Sequence, residues 1–92
     1  MDTLSREQIA AALADLDGWE LEDGALCRTF RFADFVHAVD FVEQLAEVAE
    51  AQHHHPDIDI RYNKVTLRLS SHDAGGLTER DVKLAEALQQ FA

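Results

Sequence analysis

Basic residues are scarce in this chain: 8 Lys and Arg stand against 18 Asp and Glu, a net charge of −10. A surface of that sign repels nucleic acid and anionic lipid, so direct contact with either is not expected, and a neutral small molecule is the easier ligand. Cysteine is scarcer still. Cys27 stands alone, which excludes an intramolecular disulfide and suits a reducing compartment, so the chain is expected in the cytoplasm. No apolar run approaches the roughly 20 residues of a membrane-spanning helix, and Met1-Asp2 opens no signal peptide. Proline occurs once, at Pro56. The 92 residues, 47% of them hydrophobic, suffice for one thin core and hence for a single domain over 1–92.

What is present concentrates between Glu50 and Asp81. That stretch holds four of the five histidines and the only proline, bracketed by two carboxylates. Within it, Ile58, Ile60 and Tyr62 alternate with Asp57, Asp59 and Arg61, and Val65, Leu67 and Leu69 alternate with Thr66, Arg68 and Ser70, so two half-buried strands are predicted. With Asn63-Lys64 as a two-residue turn, Tyr62 would face Val65, Ile60 would face Leu67, and His55 would fall opposite His72.

The flanking elements follow from caps and periodicity. Ser5 and Gln8 form a capping box, Leu4 and Ile9 a staple, and Ile9, Leu13 and Leu16 one apolar face of a helix ending near Asp17-Gly18. Asp23-Gly24 joins strands at Trp19 to Glu22 and Leu26 to Phe32. Asp34 caps the longest helix, whose apolar positions are Phe35, Ala38, Val39, Val42, Leu45, Ala46 and Ala49, and which must stop before Pro56. Thr78 caps a last helix with Asp81 at N3 and a Leu77–Val82 staple. The order α-β-β-α-β-β-α predicts an α+β fold, a four-stranded antiparallel sheet with three helices packed on one face, whose free edge strands could pair between subunits.

Each singled-out residue also has a plain structural reading. Histidines beside a proline are often only polar loop residues, and as metal ligands three adjacent ones project in divergent directions with no His-Glu-x-x-His spacing, so no metal is expected. Asp81 at N3 is explained by capping alone. Glu50 fits the solvent face of an acidic helix, His37 ordinary surface, and Gly75-Gly76 a turn rather than a phosphate loop.

Glu50, His54-His55-Pro56, Tyr62, His72 and Asp81, with Tyr62-Asn63-Lys64-Val65, Gly76-Leu77-Thr78 and Asp81 to Ala85, resemble the pterin-4a-carbinolamine dehydratases in identity and spacing. The similarity extends over nearly the whole chain, including Gly18-Trp19 and Phe30 to Phe35. It implies a cofactor-free dehydratase acting on 4a-hydroxytetrahydropterin, the product left by aromatic amino acid hydroxylases. By the same resemblance His54, His55 and His72 carry acid-base function, Asp81 belongs to the catalytic signature, and His53, Ser70, Ser71 and Asp73 adjoin the bound pterin. Members form homodimers or homotetramers, and animal relatives double as a dimerisation cofactor of a homeodomain transcription factor. The chain departs from the family pattern at His53, often acidic in relatives, at Ser71, often threonine, and at Asp57-Ile58, where animal members carry an aromatic.

Residue chemistry agrees with that implication. Losing water across a C4a–OH and N5–H pair needs one proton delivered to the hydroxyl and one taken from nitrogen, and imidazole can do either near neutral pH. His54 and His72 are the expected acid-base pair, with His55 positioning the hydroxyl. Two other readings remain open from the residues: a non-catalytic dimerisation or assembly module, and a metal-dependent hydrolase.

Overall fold

Short-range hydrogen bonds set the start of every helix. Ser5 Oγ accepts from the Gln8 N–H at 3.1 Å while Gln8 Oε1 accepts from the Ser5 N–H at 2.7 Å, so α1 (Arg6–Ala14) opens on a reciprocal capping box. Asp34 accepts from the His37 N–H at 2.9 Å to open α2 (Phe35–Ala51), and Thr78 with Asp81 forms a second capping box at α3 (Glu79–Leu88). These elements come from a computed structural model that describes residues 2–91. A single 3-10 turn, Gln89–Phe91, follows α3.

Helix α1 stops at Ala14, short of the expected Asp17-Gly18. Asp15 and Leu16 donate to Ala12 and Leu13 at 3.1 Å, i to i−3 bonds that tighten the last turn and carry Leu16 into the interior.

Four strands, β1 (Glu20–Glu22), β2 (Ala25–Arg31), β3 (Asp57–Arg61) and β4 (Lys64–Leu69), form one antiparallel sheet in the order β1-β2-β4-β3. The first hairpin turns at Asp23-Gly24 as expected, with φ of +48° and +78°, the left-handed pair that a two-residue type I′ loop requires.

The second hairpin corrects the sequence reading. Its turn is Tyr62-Asn63, and Ile60 opposes Val65 while Ile58 opposes Leu67, each partner displaced by two positions. A two-residue displacement keeps every side chain on its face but removes the proposed His55–His72 pairing. The cause lies outside the hairpin: Asn63 Nδ2 donates to the Phe32 carbonyl at 2.8 Å and the Phe32 N–H donates to the Asn63 carbonyl at 2.9 Å. Holding Tyr62 at φ +54° costs about 1–2 kcal/mol. Two hydrogen bonds at about 0.5–1.5 kcal/mol each are enough to offset it.

One face of the sheet is apolar. Leu26 and Phe30 of β2 and Val65, Leu67 and Leu69 of β4 pack against Ala38, Phe41 and Leu45 of α2 and Leu84, Ala85 and Leu88 of α3. Each fully buried Leu or Phe stabilises the fold by about 1.5–3 kcal/mol. Phe41 is the hub, with ring centroids 4.7 Å from Phe30, 5.0 Å from Phe32 and 5.4 Å from Phe91. The helical stripe assigned from sequence therefore needs correction: Phe35 is 52% exposed and Ala46 faces solvent, whereas Phe41, outside that stripe, points inward. Strand β3 was expected half-buried, yet all five of its residues are exposed, because it is an edge that no helix covers.

The opposite face is polar. Thr29 and Thr66 hydroxyls meet at 2.9 Å, and Arg68 Nη1 donates to Cys27 Sγ at 3.3 Å. Burial pushes the Cys27 thiol up despite that guanidinium, so Cys27 is a poor nucleophile.

Candidate active site

The C-terminus of α2 gives three consecutive histidines three different surroundings. Gln52 is the C-cap, and His53 adopts φ +52°. Its N–H donates to the Glu50 carbonyl at 3.2 Å, and the His54 N–H donates to the Ala49 carbonyl at 3.1 Å. This is the Schellman pairing, with a histidine where glycine is usual. His53 is thereby spent on the cap and stays exposed, His54 turns inward beside buried Ala49, and His55 faces out.

His54, only 7% exposed, places Nε2 2.5 Å from Asp81 Oδ1. Asp81 is fully buried, and its Oδ2 accepts from Ser71 Oγ at 2.8 Å and from the Thr78 N–H at 2.9 Å. Ser71 and Thr78 hydroxyls also meet at 2.8 Å. An ionised carboxylate only accepts, so His54 must donate from Nε2, which leaves Nδ1 for other work. Asp81 thus combines the helix-capping role read from sequence with a second one, fixing the tautomer and orientation of His54.

The other imidazoles are oriented from the surface. His55 Nε2 pairs with Glu50 Oε2, and both side chains are exposed. His72 Nε2 lies 3.3 Å from Ser70 Oγ. His72 and Asp73 stand on a tight loop closed by the Ser71–Gly76 bridge, with the Ala74 and Gly75 N–H groups donating to the Ser71 carbonyl and Gly75 at φ +80°. Arg80 Nη2 donates to Asp73 Oδ1 at 2.6 Å and holds the Asp73 carboxyl below the usual carboxylate range.

His53, His54, His55, Ser70, Ser71, His72 and Asp73 line one open cleft of about 220 Å³. The imidazoles from the end of α2 and from the loop after β4 therefore share a cavity, although not through the strand register expected. Asp81 lies beneath the cleft, reaching it only through His54 and Ser71. Sequence reading missed the pairing of Glu50 with His55 and the buried Ser71–Thr78–Asp81 network. The first had a signal, a carboxylate in the last turn of a helix that ends in histidines; the second joins residues whose contact depends on the loop closing. Among the described residues, no three His, Cys, Asp or Glu side chains converge as a metal site would require. A further cavity of about 340 Å³ between α1 and α3, bordered by Asp15, Leu16, Glu86 and Gln89, contains carboxylates but no imidazole.

Three helices on a four-stranded antiparallel sheet, with histidines gathered in a cleft where α2 ends, define a small α+β protein. Comparison with known proteins is specific. The profile of the family described as "Pterin 4 alpha carbinolamine dehydratase" matches residues 2–91. A Chloroflexus aurantiacus protein is 53% identical over 91 residues, covering 99% of this chain and 98% of its own, and one from Thermomicrobium roseum is 49% identical over 92 residues, covering 100% and 99%. Both are provisionally named pterin-4-alpha-carbinolamine dehydratases. The crystal structure of a "transcriptional coactivator/pterin dehydratase" from Brucella melitensis superposes with a TM-score of 0.93 at 38% identity, covering 99% of each chain. The chain belongs to the pterin 4 alpha carbinolamine dehydratase family.

Proposed function

We propose that this protein is a hydro-lyase that eliminates water from a 4a-hydroxytetrahydropterin to give the quinonoid dihydropterin, returning the tetrahydropterin cofactor of an aromatic amino acid hydroxylase to use. The C4a–O bond breaks as an imidazolium protonates the leaving hydroxyl. The N5–H proton passes to a neutral imidazole, the C4a=N5 double bond forms, and no electrons leave the substrate. His54 and His72 form the acid-base pair, and His55 positions the hydroxyl. One observation supports this reading above the rest: each of the three imidazoles has one nitrogen tied to Asp81, Glu50 or Ser70, with no second partner for the other nitrogen among the described residues. Tied at one end and unengaged at the other, such a ring is ready to donate or accept.

The test is stopped-flow absorbance on freshly generated 4a-hydroxytetrahydropterin. Protein at micromolar concentration is expected to accelerate dehydration by about 10² or more over the unassisted reaction. A time course unchanged by the protein would favour the non-catalytic assembly module instead.

We further propose that the working unit is a homodimer or homotetramer. Ile58 and Ile60 on the unpaired β3 edge are 42% and 38% exposed, and Phe35 and Val36 on α2 are 52% and 64% exposed. An uncovered apolar edge of this kind favours pairing with a second copy. Light scattering behind size exclusion should return a multiple of 10.3 kDa; a monomer at 100 micromolar would count against it. No helix among the described residues is long and apolar enough to cross a membrane.

A further inference from the structure

Strand β4 sends Val65, Leu67 and Leu69 into the core and Thr66 and Arg68 onto the open face, with Ser70 continuing that row just past the strand. Arg68 sits between Cys27 of β2 and Asp57 of β3 in the register. Its one side-chain hydrogen bond goes to Cys27 Sγ, a weak acceptor, and no carboxylate comes within 4.0 Å of its guanidinium among the described residues. Arg61 pairs with Asp59 and Arg80 with Asp73; Arg28, also without a carboxylate, donates to the Asp17 carbonyl and to Gln89, and Arg6 and Arg31 are exposed. Arg68 is thus half-buried with no oxygen acceptor on its guanidinium among the described residues, in a chain with a large acidic excess.

Arg68 borders a second cavity, of about 360 Å³, that runs from the Asp23-Gly24 turn to Gly75 and Gly76. That volume is within the roughly 300–1,000 Å³ usual for small-molecule sites. Ser70, Ser71 and His72 belong both to this cavity and to the histidine cleft, so the two adjoin along one wall. For a flat heterocycle held at the imidazoles, the adjoining cavity is open to a substituent along that shared wall.

We propose that Arg68 determines specificity for the substrate's side chain, accepting a phosphate or carboxylate at its end, so that the preferred pterin is anionic. The inference rests on the pterin reading above and adds the side-chain chemistry to it. A guanidinium offers a fork of N–H donors matched to either anion, and only one of them is engaged by Cys27. Asp23, on the same cavity, and the acidic surface repel anions generally. Acceptance of one therefore depends on this cation.

The experiment compares equilibrium binding, by pterin fluorescence, of three dihydropterins that differ only in the end of a short C6 chain: hydroxyl, carboxylate or phosphate. Wild-type protein is expected to prefer at least one anionic ligand over the hydroxyl ligand by about tenfold. The stronger of the two anionic arms identifies the group. Arg68→Gln should collapse that ratio to near one, and Arg68→Lys, which keeps the charge but loses the fork, should retain only part of it. Loss of the ratio, rather than weaker binding of all three, separates recognition from a structural role. Equal binding of all three by wild type, or a ratio unchanged in Arg68→Gln, overturns the proposal while leaving the pterin reading intact. Failure of all three to bind overturns both.

Discussion

Replacing Asp81 by alanine is expected to lower the unfolding free energy by about 3–5 kcal/mol, a large share of the roughly 5–15 kcal/mol that holds a small domain together. The carboxylate is fully buried and meets three donors, the His54 ring, the Ser71 hydroxyl and the Thr78 N–H. Removing it orphans those groups in the interior and dissolves the capping box of α3 at once. Thermal unfolding followed by circular dichroism should show a fall of about 12 °C or more, since each kcal/mol moves the midpoint by about 4–8 °C at this size. Asp81→Asn separates capping from chemistry. The amide oxygen can still accept from Thr78, so about 1–2 kcal/mol should be lost. An amide N–H turned toward His54 would instead force Nε2 to accept, moving the ring proton to Nδ1. A rate loss of about 10² or more is expected from that change alone. A well-folded Asp81→Asn protein with the full rate would refute the positioning role.

His72→Ala should remove most of the dehydratase rate, about 10² to 10⁴, with little change in stability, because the ring is exposed and its one bond, to Ser70, is long. His54→Ala should lose a comparable factor and also destabilise the fold, because the Asp81 carboxylate would stay buried without its imidazole. The contrast is informative. Equal rate losses with unequal stability losses would place both rings in the chemistry, whereas a rate loss confined to His54→Ala would reduce that variant to a folding defect. Full activity in both would end the assignment of roles, and single-turnover stopped-flow traces decide between these outcomes.

Much of the architecture could be read one element at a time. Ser5 with Gln8, Asp34, and Thr78 with Asp81 announced the helix starts because a cap is a bond between residues two or three apart. Asp23-Gly24 announced its hairpin because both φ angles there are positive. The second hairpin was misplaced by one residue at the turn: Asn63 is a turn residue as its own preference suggests, but it takes the second turn position because its amide and carbonyl are committed to Phe32, 31 residues away. On α2, Phe35 and Phe41 have equal claims by hydrophobicity, and only the positions of Phe30, Phe32 and Phe91 decide which is buried.

The candidate site divides along the same line. Residue type and order alone identified the histidines and the acidic bracket, and the resemblance those residues carry pointed to the family. Tertiary structure decided which imidazole is buried, that Asp81 holds it, that Glu50 holds another, and that Arg68 is left without an anion. Those outcomes need segments far apart in the chain to be packed against one another. Packing of that kind is fixed by the fold as a whole, through the left-handed turn at His53 and the pairing of β4 between β2 and β3.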